Sequence, residues 1–129
     1  NGVVMTARSD VIVAVVMRGK WILVIRRGPD DVPGPGYWAP LTGRVELSEE
    51  QSSTVVREVR EEVGLEVRPF DQSGGCASDD GADYLHWWLV EYVGGDVALD
   101  PREVSDARWW FGLANAHGKV ILSHEFDEG

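Results

Sequence analysis

Between Gly43 and Leu65 the chain reads GRVELSEEQSSTVVREVREEVGL, and three glutamates, Glu58, Glu61 and Glu62, crowd the end of one helical segment. At about 3.6 residues per turn they share a face, because residues three and four apart are neighbours. That face lies beside the apolar stripe Val55, Val56, Val59 and Val63, not opposite it. Glu62 shares an edge with Val55 and Val59 and is expected to be only partly solvated. Arg57 flanks the cluster and pairs with Glu61 at i+4. A solvated charged face is the ordinary use of such residues. Here, however, like charges at this spacing cost roughly 0.2–0.5 kcal/mol per pair, and a single arginine offsets only part of that. Carboxylates at the shoulder of a buried stripe also lose hydration unless something positive sits among them. Hard cations such as Mg²⁺ or Mn²⁺ suit oxygen ligands of this kind, so the pattern points to a divalent metal site.

A helix that aims three carboxylates needs defined ends and a floor. Ser48 is the expected N-cap, with Gln51 completing a capping box three residues on. Glu49 and Glu50 then fall in the first turn, where the helix dipole favours negative charge. Gly64 is the expected stop, since glycine enters the left-handed conformation without steric cost. Val11–Met17 is nearly all β-branched and reads as a strand buried on both faces. Arg18-Gly19-Lys20 turns it, and Trp21–Ile25 returns as the second arm of a hairpin. Arg26–Tyr37 holds three prolines and three glycines and reads as an irregular loop of the kind that often carries function. Trp38–Leu41 is a short extended piece broken by Pro40. Leu65–Phe70 reads as a strand, Asp71–Ala82 as a polar loop and Asp83–Val93 as a long aromatic strand. Ala107–Phe111 reads as the last strand, and Leu113–His124 as a short helix interrupted by Gly118. Within Asp83–Val93, alternation places Tyr84, His86 and Trp88 on one face and Leu85, Trp87 and Leu89 on the other. Either face could meet the helix. Strands flanking a central helix imply an α/β fold with a mixed sheet.

The 129 residues suffice for one domain, expected to span positions 1–129, and its 43% hydrophobic content supports a folded core. A net charge of −10 disfavours extended nucleic acid and anionic membranes as partners. A small polyanion can still bind through metal ions, which invert the local field. Cys76 is the one cysteine, which fits a reducing compartment. The longest apolar run stops too soon to span a bilayer, and no signal-peptide layout opens the chain. The expectation is a cytoplasmic protein, monomeric or homodimeric, with a trimmed or truncated start.

The spacing carries a resemblance. Gly43, Glu49, Arg57, Glu58, Val59, Glu61, Glu62, Gly64 and Leu65 match the Nudix box at all nine of its defined positions. Trp38 with Pro40 before the box glycine resembles the family's approach to the motif, and the strand–helix order resembles the MutT-like branch. The resemblance implies a Nudix-type α/β/α sandwich and metal-dependent hydrolysis of a diphosphate linkage in a nucleoside diphosphate derivative. A MutT-like nucleoside triphosphate is the default substrate. It also implies Glu58, Glu61 and Glu62 as ligands of Mg²⁺ or Mn²⁺, Glu58 or Glu62 as the base that activates water, and Arg57 as the group that orients the carboxylates. Backbone carbonyls at Thr42 and Gly43 join the implied metal shell; many relatives have a second glycine where this chain has Thr42.

Further candidates lie outside the box. Glu103 matches the placement of a later acid that MutT-like members often supply before the last strand, with Asp96, Asp100 and Asp106 as competitors. Arg26 and Arg27 resemble arginines that contact substrate in such enzymes, where either could grip a phosphate or a base edge. Tyr37 could stack on a base, as could Tyr84, Trp87 and Trp88, although aromatics in strands more often fill cores. His86, His117 and His124 share no ligand spacing. A non-hydrolytic nucleotide sensor on the same fold is the rival, and loss of box glutamates, its mark, is not seen.

Overall fold

The computed structural model describes residues 9–27, 38–114 and 120–125. Its centre is the hairpin of β1 (Ser9–Arg18) and β2 (Trp21–Arg27), turned at Gly19, whose φ of 61° suits glycine. Val11–Val16 and Ile22–Ile25 are buried on both faces of these strands, as their β-branched runs imply. The short strands β3 (Trp38–Ala39) and β4 (Leu41–Arg44) follow. The helix α1 (Gln51–Val63) comes next, then β5 (Glu66–Ala77), β6 (Asp83–Gly94), β7 (Val104–Ala114) and β8 (Val120–Glu125).

The strands form one eight-stranded sheet in the order β5-β6-β1-β2-β7-β8, with β3 paired to β2 and β4 to β1. The β1–β6 pairing is parallel, with Val11 opposite Leu85 and Val15 opposite Leu89, whereas the others are antiparallel. This is the mixed sheet that the sequence implies. Among the described residues α1 is its single helix.

The helix lies on the face built from Ile12, Ala14, Val16, Leu23, Ile25 and Leu41, and it contributes Val55, Val59 and Val63 at no exposure. Each of these valines stabilises by roughly 1.5–3 kcal/mol through burial, so the stripe fixes how α1 is rotated about its axis. Val56, expected in the same stripe, is only half-buried. Trp88 and Tyr92 pack against this cluster and Val90 belongs to it, which answers which face of β6 meets the helix. The indole of Trp88 donates to Gln51 Oε1 at 3.0 Å.

Four sequence expectations need correction. Ser48 does not cap the helix: it sits at φ 65° in a turn closed by the Glu49 amide donating to the Glu46 carbonyl. Glu50 occupies the N-cap without a side-chain cap bond, and Gln51 is turned to Trp88 instead of back to the helix start. Glu49 consequently lies before the first turn, held by side chains and not by the dipole. Residues 71–77 are strand, not loop. As a sheet edge, β5 tolerates Pro69, and two of its three register shifts fall at Pro69/Asp71 and Gln72/Gly74, leaving only residues 78–82 to turn. Finally, no helix forms in the described part of Leu113–His124: Leu113 and Ala114 end β7, and Val120–Glu125 pairs back on it. The apolar run Val120-Ile121-Leu122 suits that pairing. Gly118 and His117 lie outside the described residues. Gly64 does stop α1, at φ 73°, with its amide on the Arg60 carbonyl.

Candidate active site

A cleft of about 1060 Å³ opens beside the last two turns of α1, lined by Glu58, Glu61 and Glu62 from the helix and by Thr42, Gly43 and Arg44 from β4. Val11 and Asp83, at the starts of the parallel pair β1 and β6, form a second wall, and Asp100, Arg102 and Glu103 form a third.

Each wall has a local cause. Residues Leu41–Arg44 form a regular ladder with β1, in which Thr42 faces Val13 and Gly43 faces Ile12. Threonine is at ease in a strand, so the residue that replaces a second glycine fits here without a special backbone conformation. Gly43 is required by proximity: a Cβ at this position would lie 2.2 Å from Glu58 Cγ and 2.5 Å from Cδ. The Glu58 side chain therefore runs directly across the strand backbone. The third wall is fastened to the end of α1. The amides of Ala98 and Asp100 donate to the carbonyls of Val63 and Glu62 at 2.8 and 3.0 Å, satisfying two groups that a helix end leaves open. The amides of Glu103 and Val104 both close on the Asp100 carbonyl. The turn that carries Glu103 is thus part of the helix terminus.

Arg57 organises the carboxylates. Its Nε and Nη2 each lie 2.9 Å from Glu49, its Nη1 lies 2.8 Å from Glu58 Oε1 and 3.3 Å from Glu61 Oε2, and Nη2 also donates to the Arg44 carbonyl at 3.1 Å. Glu49 Oε1 accepts further bonds from Thr54 Oγ1 at 2.7 Å and from the Glu46 amide at 3.1 Å. The Arg57 hydrogen bonds, helped by Thr54, lower the Glu49 carboxyl from 4.5 to about 2. Burial pushes the Glu58 carboxyl above its usual range against the pull of Arg57, and the like charges of Glu61 and Glu103 add to the rise. Glu62 is 4% exposed, buried more deeply than its place on the helix edge implies, whereas the Glu61 side chain is 58% exposed.

The donor set suits a hard divalent cation: the carboxylates of Glu58, Glu61, Glu62 and Glu103 line one acidic cleft, with Glu58 half-buried among like charges. Among the described residues no three acids or histidines are yet drawn close enough to hold an ion unaided. Arg57, lodged against both Glu58 and Glu61, keeps them in its own hydrogen-bond geometry.

The cleft brings together Glu58, Glu61, Glu62, Glu103, Thr42 and Gly43 from the sequence candidates. Arg26 is elsewhere: its guanidinium lies 5.6 Å from the centre of the Trp38 ring, and its carbonyl accepts from Ser105. Arg27 ends β2 at a register shift opposite Val104, and Tyr37 lies outside the described residues. Of the competing acids Asp100 lines the cleft, whereas Asp106 pairs with Arg108. Arg44, Arg102 and Asp83 were not singled out in the sequence. Arg44 adjoins the box glycine and was legible by position, whereas Asp83 reaches the cleft only through the parallel β1–β6 pairing. His86 Nε2 lies 2.9 Å from Asp10 Oδ1.

The family model described as NUDIX domain matches residues 6–127, and the chain belongs to the Nudix hydrolase family. A protein described as NAD-capped RNA hydrolase NudC from Stutzerimonas stutzeri (strain A1501) is 34% identical over 102 residues, which are 79% of this chain and 36% of that protein. The Pseudomonas aeruginosa (strain LESB58) protein of the same description is 35% identical with the same coverage. The chain thus spans about a third of the length of these curated relatives. Among solved structures, a NUDIX hydrolase from Nitrosomonas europaea superposes with a TM-score of 0.71 at 16% identity, covering 80% of this chain and 57% of that one. A MutT protein from Methanosarcina mazei Go1 gives 0.67 at 24% identity, covering 83% and 79%. These likenesses establish the α/β sandwich fold with its mixed sheet. No helix among the described residues is long and apolar enough to cross a membrane.

Proposed function

We propose that this chain hydrolyses a diphosphate linkage in a nucleoside diphosphate derivative, with Mg²⁺ or Mn²⁺ held by Glu58, Glu61 and Glu62 and by a carbonyl of Thr42 or Gly43. The observation that carries the reading is the cleft itself, in which all three box glutamates meet Glu103 around one opening. When bound, the cation neutralises the diphosphate and lowers the pKa of an attacking water. The remaining chemistry belongs to the chain. Arg57 keeps the carboxylates facing the cleft through its contacts with Glu58 and Glu61. Glu58 or Glu62 takes the proton from water, and burial, which raises the Glu58 carboxyl, favours a proton there. Glu103, on the opposite wall, accepts hydrogen bonds from the water or adds to the ligand shell. A net charge of −10 makes such a cation more necessary for an anionic substrate.

Two substrate classes are supported by different observations. The box, through its resemblance to the MutT-like branch, favours a nucleoside triphosphate as the default. The relatives described as NAD-capped RNA hydrolases favour a dinucleotide joined through its diphosphate. The acidic surface favours the dinucleotide end of such a substrate over a long RNA segment. Nucleoside triphosphates, oxidised triphosphates, ADP-ribose, dinucleoside polyphosphates and NAD, each incubated with Mg²⁺ and with Mn²⁺, form the test, with products identified by mass. Cleavage at a diphosphate in one class supports the proposal. Binding of several nucleotides without turnover of any would replace it with the sensor reading.

A further inference from the structure

We propose that Thr54, which is not one of the defined box positions, is a positioning residue for the carboxylate cluster. It acts through Glu49 and Arg57, and the proposal rests on the hydrolase reading of the cleft. Thr54 is fully buried, and it and Glu62 are the buried polar residues among those described. Its hydroxyl has one proton and two oxygens within reach: Glu49 Oε1 at 2.7 Å and the Glu50 carbonyl at 3.2 Å. An ionised carboxylate can only accept, and the bond to it is the shorter one, so the proton belongs to Glu49.

That bond fixes the rotation of a terminal carboxylate. Glu49 Oε1 already receives Arg57 Nη2 and the Glu46 amide, and Oε2 receives Arg57 Nε. Thr54 is the donor that approaches from inside the core, so it sets the plane in which Arg57 must lie to form both of its bonds. Arg57 in that plane presents Nη1 to Glu58 and Glu61 at 2.8 and 3.3 Å. Four side chains therefore connect a core hydroxyl to the cleft. A change at Thr54 is transmitted to Glu58 without touching substrate or metal.

Two substitutions separate positioning from packing. Thr54→Val keeps the volume but sets a methyl group against Glu49 Oε1, where a contact of 2.7 Å is impossible. Thr54→Ser keeps the hydroxyl but leaves a methyl-sized gap in the core. If Thr54 positions the cluster, activity follows the hydroxyl. Thr54→Val then loses roughly 10–100-fold in kcat with little change in KM, and Thr54→Ser stays within about twofold of wild type despite a lower Tm. The second readout is the rise in Tm on adding Mg²⁺ to each protein, which needs no turnover. Wild type and Thr54→Ser are expected to show the same rise, and Thr54→Val a smaller one. Activity and Mg²⁺ response that follow Tm alone, or a Thr54→Val protein equal to wild type in both, overturn the proposal. A wild type that hydrolyses nothing, while the Mg²⁺ response still follows the hydroxyl, overturns the hydrolase reading and leaves Thr54 in place. Absence of any Mg²⁺ response in wild type overturns both.

Discussion

Arg57 grips Glu49 with two 2.9 Å contacts, Nε to Oε2 and Nη2 to Oε1, and has its remaining nitrogen, Nη1, 2.8 Å from Glu58. One planar guanidinium thus joins the loop before α1 to the carboxylates at its end. Lysine offers a point charge and cannot make both contacts. Arg57→Lys is therefore expected to lower kcat roughly 10–100-fold and to cost about 1–3 kcal/mol of stability from the partners left without donors. Steady-state kinetics and urea unfolding check the two effects; unchanged kcat would show that the clamp does not orient the cluster.

The same contact sets a dependence on pH. The Glu49 carboxyl is lowered from 4.5 to about 2 by its bonds from Arg57 and Thr54. A depressed carboxyl contributes stability that is fully present above the unfolded value and lost as pH falls through the folded one. Wild type should therefore exceed Glu49→Gln by a constant margin above about pH 5, and the margin should shrink between about pH 4.5 and pH 2. Thermal melts of both proteins across that range measure it. A margin independent of pH would mean that Glu49 does not carry the ionic contact.

Gly43→Ala probes the crossing of Glu58 over β4. The added methyl would meet Glu58 Cγ at 2.2 Å, and a side chain yields more readily than a paired strand. Glu58 is expected to swing away from the cleft, lowering kcat by roughly tenfold or more while the fold survives. Circular dichroism and kinetics on the same preparation decide it. An alanine variant with wild-type kcat would mean that Glu58 is not needed where it lies.

Among the described residues, Arg44 and Arg102 are the cations on the cleft walls, from β4 and from the turn before β7. An anionic substrate entering among carboxylates is expected to use them. Arg44→Ala and Arg102→Ala should each raise KM severalfold with kcat nearly unchanged, and the effect should weaken as salt rises. A fall in kcat at constant KM would assign them to the chemical step instead.

The box was legible because its spacing is local: one helix period and one valine stripe suffice to place Glu58, Glu61 and Glu62 on a common edge. Glu103 was legible by position, though its fastening to the helix end by Ala98 and Asp100 was not. The helix start was misread because Ser48 and Gln51 have the composition of a capping box, whereas tertiary contacts claim Gln51 for Trp88 and Glu49 for Arg57. The strand character of residues 71–77 was hidden by glycine and polar residues that an edge strand accommodates through bulges. Asp83 could not be foreseen at the cleft, since nothing local to β6 reveals that it runs parallel to β1.

The most direct test of the account is turnover of the best substrate by wild type and Glu62→Gln, each with Mg²⁺ and with EDTA. Glu62 is buried at the cleft, so the neutral isostere keeps its shape while removing one negative charge and proton acceptor. The account predicts a folded variant with unchanged Tm or a higher one, activity in wild type only with the cation, and a loss of at least roughly 100-fold in Glu62→Gln. Wild-type turnover in EDTA, or full turnover by Glu62→Gln at saturating Mg²⁺, would contradict it.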